Sequence, residues 1–184
     1  MNLPLEGGFF ISDIAPDDKT AYLEHLQEKE ISDRTLMIPY PYKETDADWW
    51  IDHVAKQSKE QGQSLNWAIR RPDGFLIGGI GHHDIELGEI HKSEIGYWLA
   101  KPYWGRGITT EAVRKVAEHA FHELGLVRLT AHVFDFNLAS CRVLEKAGFL
   151  LEGRLRLYYK KNGRLGDAFL YAKVADTAGR SNLS

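Results

Sequence analysis

Two glycines one residue apart interrupt the sequence at residues 103–110, which read YWGRGITT. The apolar run before them predicts a strand over residues 93–100, and the run after them predicts a helix that ends at Gly125. A glycine-rich turn between a strand and a helix can aim several backbone N–H groups at one anion, and the helix N-terminus adds partial positive charge. Because Arg106 adds a full charge inside the turn, the segment predicts a site for a phosphate or pyrophosphate.

Three other interpretations of this turn compete with that prediction. The phosphate loop of nucleotide hydrolases needs Lys and Ser or Thr after its second glycine, whereas Ile108 and Thr109 follow Gly107. A dinucleotide fingerprint needs a third glycine where Thr110 stands, together with repeated β-α-β units that this chain lacks. A turn that merely changes the chain direction stays an alternative. Since no nearby carboxylate pair suggests magnesium, we expect a pyrophosphate held without metal.

Hydrophobic periodicity predicts the elements that must position this turn. Strands are predicted over 8–14, 64–71, 75–87, 93–100 and 127–134, with a hairpin turn at Pro72–Gly74 between the second and third of them, and in a hairpin around Asn162 and Gly163. Helices are predicted over 21–30, from Asp46 to Gly62, and over 111–125 and 137–148. In the second helix we expect the following residues to form the buried side: Trp49, Trp50, Ile51, Val54 and Ala55. The order predicts a single α/β domain (α+β by strand pairing) over residues 1–174, with a mixed, largely antiparallel sheet. Residues 175–184 are predicted to be a disordered polar tail.

Composition excludes several classes of protein. The 184 residues carry a formal net charge of −3, which argues against a nucleic-acid partner. No apolar stretch approaches the roughly 18 residues of a membrane helix, and the N-terminus does not have the pattern of a signal peptide. The single cysteine, Cys141, excludes an intrachain disulfide and fits a reducing compartment. We therefore expect a cytoplasmic protein without membrane or nucleic-acid partners, and the sequence leaves homo-oligomer formation undecided.

Two segments, SEIGYWLAKPYWGRGITTEA and VRLTAHVFDFNLASCRVLEKAGFLLEGRLR, resemble the GNAT acetyltransferase superfamily and within it the RimJ/RimL-like branch of ribosomal-protein N-acetyltransferases. The similarity extends over essentially the whole chain. It implies a GNAT fold and acetyl-CoA as co-substrate, with its pyrophosphate on the glycine turn and its pantetheine arm between two splayed strands. The cofactor-binding residues implied in this way are Trp98, Leu99, Ala100, Gly105, Arg106, Gly107, Ile108, Thr109, Thr110 and Asn137.

Transfer of an acetyl group to an amine needs a base for the amine proton, donors for the carbonyl oxygen and a proton for the departing thiolate. The resemblance implies that Ser140 serves the thiolate, because Leu144 occupies the place where many superfamily members have a tyrosine. Asn137 and Ser140 are equally good helix caps. The resemblance also implies that Glu94 is the base, although an exposed strand glutamate is an equal alternative. A backbone N–H near Leu99 is expected to serve the carbonyl oxygen.

Other candidate residues are weaker. Tyr159 stands where some ribosomal N-acetyltransferases have a proposed catalytic glutamate, so we expect it only to line the acceptor pocket, together with Trp49 and His83. Strand alternation places His82 and His83 on opposite faces, and a core or solvated histidine is the plainer interpretation of each. His119 and His122 lie three apart but have no third ligand, so we expect them on the outer helix face.

The sequence thus predicts an acetyl-CoA-dependent N-acetyltransferase that transfers an acetyl group directly to a primary amine, on a protein N-terminus or a small molecule. Cys141 has no base partner that would indicate a covalent intermediate. The alternative is a non-catalytic acyl-CoA-binding or sensor module. The presence together of Asn137, Ser140 and Glu94 favours the enzyme.

Overall fold

The computed structural model describes residues 1–86 and 91–176. The strands are β1 (Asn2–Pro4), β2 (Phe10–Asp13), β3 (Asn66–Arg70), β4 (Leu76–Glu86), β5 (Lys92–Leu99), β6 (Arg128–Phe134), β7 (Leu150–Lys161) and β8 (Arg164–Val174). The helices are α1 (Lys19–His25), α2 (Lys29–Arg34), α3 (Glu44–Gln61), α4 (Ile108–His122) and α5 (Leu138–Lys146).

The strands form one sheet in the order β1-β2-β3-β4-β5-β6-β8-β7. Every neighbouring pair is antiparallel except β5 and β6, which are parallel. This confirms the predicted fold class, a mixed and largely antiparallel sheet flanked by helices. The predicted turns are confirmed as well, because Gly74 lies at φ +87° and the pair Asn162 and Gly163 lies at +51° and +79°, which a tight hairpin turn requires.

Helices cover both faces of the sheet. On one face, the apolar side of α4 packs over the central strands, and its buried residues are Ala112, Val113, Val116, Ala117 and Ala120. On the other face, a second cluster joins α1 and α3 to the sheet through Tyr22, Leu26, Ile31 and Ala47. The amphipathic pattern predicted for α4 is therefore confirmed, and it fixes the glycine turn at the N-terminus of this helix.

The predicted helix over residues 21–30 is wrong, because α1 ends at His25 and α2 starts at Lys29. The break allows Leu26 and Ile31 to enter the same apolar cluster, with exposures of 2% and 3%. The start of α3 also differs from the prediction. The helix begins at Glu44, and Asp46, its third residue, accepts the Lys43 N–H at 2.7 Å.

The predicted buried side of α3 is also partly wrong. Trp49 is 62% exposed and Ala55 is exposed, whereas Val54 is buried. Consecutive helical residues are about 100° apart, so Trp49 and Trp50 cannot both face the sheet. Trp50 is the one that turns inward, where its indole Nε1 donates to Tyr22 Oη at 3.0 Å.

Both ends of the chain add residues to the regular structure. Strand β1 has only three residues and no hydrophobic alternation, so the sequence did not predict it. Ala175 was predicted to open a disordered tail, but it is 7% exposed and donates its N–H to Val127 O at 2.9 Å. The remainder of the predicted tail, residues 177–184, lies outside the described residues, as does residue 87 at the end of the predicted fourth strand.

Candidate active site

The glycine turn presents free backbone donors. Gly105 and Gly107 have φ values of +75° and +81°, and no atom lies within 4 Å of a Cβ built at either position. Glu111 is the first residue after the turn whose N–H has a backbone acceptor. It donates to Gly107 O at 3.1 Å. In the described part of the chain, the N–H groups of residues 105–110 have no hydrogen-bond partner. Six such donors stand at the start of a 15-residue helix, an arrangement that can bind an anion.

Arg106 lies at the rim of this turn. Its guanidinium is exposed and stacks over the rings of Phe9 and Tyr103, at 5.4 and 5.6 Å from the centroids. Glu111, in the first turn of α4, accepts the Glu6 N–H through both carboxylate oxygens, at 2.9 and 3.0 Å. The N-terminal segment is thereby fixed to the start of α4, and the guanidinium is held beside the turn.

Strands β5 and β6 separate next to the turn. Their parallel pairing joins Lys92–Glu94 to Arg128–Thr130 and ends there, although β5 continues to Leu99 and β6 to Phe134. We call the gap between residues 95–99 and 131–134 the β5–β6 opening. Because the turn follows β5 directly, a ligand whose phosphates occupy the turn can extend into this opening.

The backbone of Leu99 faces the β5–β6 opening. Ala100 N–H donates to Ile77 O on β4 at 2.7 Å. Since N–H groups alternate in direction along an antiparallel strand, the N–H of Leu99 points away from β4, and so does that of Tyr97. The carbonyl of Leu99 is occupied by Trp104, whose indole Nε1 donates to it at 2.7 Å. The Leu99 N–H therefore remains as a donor toward the opening.

Helix α5 brings Ser140 to one face of the opening. Asn137 caps the helix, and its Oδ1 accepts the Ser140 N–H at 3.4 Å. Ser140 Oγ lies 2.8 Å from the hydroxyl of Tyr97, which projects from β5 toward the same face. Burial raises the pKa of Tyr97 above its ordinary value, so this phenol stays protonated and can donate. The capping role of Asn137 is observed, and its contact to a pantetheine arm stays a prediction.

Glu94 lies on the opposite face. Along β5, Ile95 and Leu99 enter the cluster beneath α4, whereas Trp98 packs against Tyr22 of α1 at 5.9 Å. Alternation places Glu94 with Trp98. The β5–β6 opening therefore passes between Ser140 on one face and Glu94 on the other.

Around Glu94 the strands form a cleft of about 690 Å³, which we call the polar cleft. Its lining includes Asp84, Glu86, Glu94, Thr130, His132 and Tyr158. Glu94 Oε2 lies 2.8 Å from His132 Nδ1, and the His132 ring stacks on Tyr158 at 4.6 Å. The pKa of Tyr158 is raised, chiefly by burial and also by the negative charges of Glu94 and Asp84.

Two of the three predicted acceptor residues lie on this face of the sheet. His83 is paired with Glu94 across β4 and β5, and its ring covers Gly96, where a Cβ would lie 2.6 Å from Nε2. Tyr159 stacks on Phe134 at 3.9 Å, one alternation beyond His132 on β6. Trp49 is not among the residues that line the polar cleft, and it stacks instead on His53 at the surface of α3.

The remaining histidines and the cysteine lie apart from this site. His82 is 1% exposed, which agrees with its predicted position on the face opposite His83. His119 is half-buried against Trp67 at 5.8 Å, so its predicted position on the outer face is wrong, whereas His122 is exposed. Burial raises the pKa of the Cys141 thiol, which keeps it protonated. Among residues 1–86 and 91–176, no cluster of His, Cys, Asp and Glu could hold a metal ion.

Sequence reasoning missed three residues of this site. Trp104 precedes Gly105 in the turn, and nothing in the sequence indicates that its indole Nε1 donates to the Leu99 carbonyl. Tyr97 and His132 were not considered. The sequence signal for both is strand alternation: Tyr97 shares a face with Ile95 and Leu99, and His132 shares one with Thr130. Their partners are shown only by the tertiary structure, in which α5 brings Ser140 to Tyr97 and the pairing of β5 with β6 brings Glu94 to His132.

Comparisons with known proteins identify the family of the chain. The family described as acetyltransferase (GNAT) domain matches residues 9–150. The chain belongs to this family. A probable N-acetyltransferase of Bacillus subtilis, YjcK, is 50% identical over 91 residues, which is 50% of each chain. The ribosomal-protein-serine acetyltransferase of Escherichia coli is 34% identical over 119 residues, 64% of this chain and 65% of that protein.

Solved structures of acetyltransferases share the fold of this GNAT domain. Mycobacterium smegmatis RimJ, determined with a CoA-disulfide, superposes with a TM-score of 0.85 at 24% identity, over 97% of this chain and 88% of that one. A RimL structure with coenzyme A gives 0.85 at 17% identity, over 96% and 99%. The GNAT domain spans between half and two thirds of the length of the first curated relatives it matches. Within the described residues, no helix is long and apolar enough to cross a membrane.

Proposed function

We propose that this GNAT domain is an acetyl-CoA-dependent N-acetyltransferase that transfers an acetyl group directly to a primary amine. The observation that carries the proposal is the β5–β6 opening, which begins beside six unpaired N–H groups and passes between Ser140 and Glu94. A binding module would need the turn and the opening, but it would have no use for a hydroxyl and a carboxylate on the two faces of the opening.

On the turn side, the residues bind and orient the co-substrate. Acetyl-CoA, when bound, supplies an acetyl thioester. The N–H groups of residues 105–110 fit a pyrophosphate, because they converge at a helix N-terminus with space above both glycines. Leu99 donates its N–H to the thioester carbonyl oxygen. Ser140 donates its hydroxyl proton to the departing sulfur, and Tyr97 holds the Ser140 oxygen in place.

On the opposite face, Glu94 receives the amine. Its carboxylate attracts an ammonium group into the polar cleft, and the ammonium must lose a proton before it can attack. Asp84 adds negative charge to the same cleft, which favours cationic acceptors. Two relatives name two classes of acceptor: the Escherichia coli enzymes are a ribosomal-protein-serine acetyltransferase and an L-amino acid N-acetyltransferase, at 34% and 24% identity. The proposal therefore covers protein α-amino groups and small amines.

The first experiment is calorimetric titration with acetyl-CoA, and with ATP and NAD as competitors for the same kind of site. We expect acetyl-CoA alone to bind. Gly107→Glu should weaken binding by about tenfold or more, because it places a carboxylate among the anion donors. Gly62→Glu is the matched control, since Gly62 has a similar φ of +68° and equal free space but lies at the end of α3. Equal loss in both variants would contradict the phosphate assignment.

The second measurement distinguishes the enzyme from the sensor module. Thiol release from acetyl-CoA is followed with peptides bearing a free N-terminus, with free amino acids and with a polyamine. Release that depends on one class of amine supports the proposal and names the acceptor. Binding of acetyl-CoA without release in any of these assays would favour the non-catalytic alternative.

A further inference from the structure

Glu94 contacts His132, and the two side chains bridge β5 and β6 where the pairing of these strands ends. Glu94 pairs with Thr130 in the last register of β5 and β6, and His132 follows Thr130 by one alternation on the same face. The 2.8 Å contact between Glu94 Oε2 and His132 Nδ1 therefore lies across the closed end of the β5–β6 opening. The atoms are close but not aligned as a hydrogen bond, so a rotation of the carboxylate or the ring completes it.

The two nitrogens of His132 have different surroundings. Nδ1 is buried against Glu94, whereas Nε2 is reached by solvent and has no hydrogen-bond partner among the described residues. Tyr158 stacks on the ring and fixes its plane. A carboxylate at one imidazole nitrogen holds the proton there and leaves the lone pair of the other nitrogen free to accept.

We propose that His132 is the base that takes the amine proton through Nε2, and that Glu94 is a positioning residue that holds the imidazole through Nδ1. This inference rests on the proposed function and changes the role that the sequence predicted for Glu94. The ammonium first gives one proton to Nε2, and the imidazolium passes it to solvent. When the neutral amine nitrogen then bonds to the acetyl carbon, the carbon–sulfur bond breaks and the sulfur takes the Ser140 hydroxyl proton. The second proton leaves the amine nitrogen and restores the Ser140 hydroxyl through solvent.

The charges around His132 come from three other strands and from its own. Glu94 and Lys92 project from β5, Asp84, Glu86 and His83 from β4, Arg128 from β6 itself and Tyr158 from β7. Lys92 is paired with Glu86 at 3.1 Å, and Arg128 with Glu152. Both cations are thus neutralised, and the negative charge in direct contact with His132 is that of Glu94.

The arrangement is tested first without any acceptor. In long-range ¹H–¹⁵N spectra of the labelled protein, with His132 assigned by its loss in His132→Gln, we expect the neutral ring to be protonated at Nδ1. Glu94→Gln should reduce this preference, whereas Glu118→Gln, at an exposed glutamate on α4, should leave it unchanged. A wild-type ring protonated at Nε2 would overturn the proposal.

The role is tested by kinetics with the acceptor found in the thiol-release screen. His132→Gln should lower kcat/KM on the order of 100-fold and remove the rise of activity with pH that the imidazole causes. An acceptor that is already neutral, such as O-methylhydroxylamine, should lose much less. His122→Gln, an exposed histidine on α4, should behave as wild type. If the wild type is active and His132→Gln is equally active, this inference is contradicted and the proposed function is not. If the wild type is inactive on every amine, the proposed function is contradicted.

Discussion

At the scale of single residues, the site depends on two polar contacts formed by residues far apart in the sequence. Ser140 and Glu94 were predicted from their place in family motifs, but the partner of each was not. Tyr97 precedes Ser140 by 43 residues, and His132 follows Glu94 by 38. Nothing in the local sequence connects these positions. The contacts follow from the pairing of β5 with β6 and from the direction of α5, which are features of the tertiary structure.

Tyr97 offers a direct test of the thiolate side. Tyr97→Phe removes the hydroxyl 2.8 Å from Ser140 Oγ, so we expect kcat to fall about tenfold with little change in KM for acetyl-CoA. Ser140→Ala should lose more activity, and the double variant should be no worse than Ser140→Ala, because Tyr97 acts through the serine.

The control for this series is Tyr171→Phe, which removes another buried tyrosine hydroxyl, bonded to Glu145 at 2.9 Å and outside the site. It should leave kcat unchanged. Independent, multiplicative losses from Tyr97→Phe and Ser140→Ala would contradict the hydroxyl pair.

At the scale of elements, strong periodicity was a reliable guide and short or broken elements were not. Helix α4 and the two tight turns were predicted because each is determined by its own residues. The break between α1 and α2 was missed, since it is driven by the burial of Leu26 and Ile31 in a cluster made by other elements. Strand β1 was missed because three residues carry no period, and it exists only by pairing with β2.

A buried ion pair holds these first elements together. Arg70 at the end of β3 donates to Asp18 Oδ1 at 2.6 Å and to Asp18 Oδ2 at 2.8 Å, and also to Ser12 Oγ at 2.7 Å. The two side chains are 10% and 7% exposed. The pair therefore fixes the start of α1 against β2 and β3, and through α1 the face of the sheet that carries Glu94.

Asp18→Asn should destabilise the protein by about 3–5 kcal/mol, because it leaves a buried guanidinium without its counter-charge. Asp17→Asn is the matched control, since Asp17 is the exposed neighbour and should change the free energy of unfolding by less than about 0.5 kcal/mol. Urea unfolding measures both. A small effect of Asp18→Asn would show that water or other groups compensate Arg70.

At the scale of the whole molecule, the fold class was predicted from the order of the elements and from the resemblance, whereas the packing of the polar residues in the core was not. His82 is the clearest case. It lies on β4 in the middle of the sheet, both ring nitrogens lack a partner in the described chain, and its ring meets Trp67 edge to face at 5.7 Å. Burial lowers its pKa from 6.5 to about 4, with smaller effects from His119 and His83.

This shift makes stability depend on pH. The folded state holds His82 neutral, whereas the unfolded chain binds a proton below about pH 6.5, so the stabilisation is complete above that pH and is lost as the pH falls toward 4. From the titration of His82 alone, we expect the free energy of unfolding to be about 2 kcal/mol lower at about pH 5 than at about pH 7.5. Urea midpoints at the two values measure this difference.

In His82→Gln the difference between the two pH values should shrink, because glutamine does not titrate. Part of the difference should remain because of His25 and His119, since burial also lowers the pKa values of these two histidines. His122→Gln, at an exposed position, should keep the full difference. If His82→Gln kept it as well, the neutral buried imidazole would be disproved.

The separation of β5 from β6 divides the sheet into two parts. Strands β1 to β5 form the first part, and β6 to β8 form the second, so each part is built from strands that are consecutive in the sequence. Among the described residues, three backbone pairs join the two parts. The apolar cluster under α4 draws residues from both parts, so its packing sets how far apart β5 and β6 lie beyond these pairs.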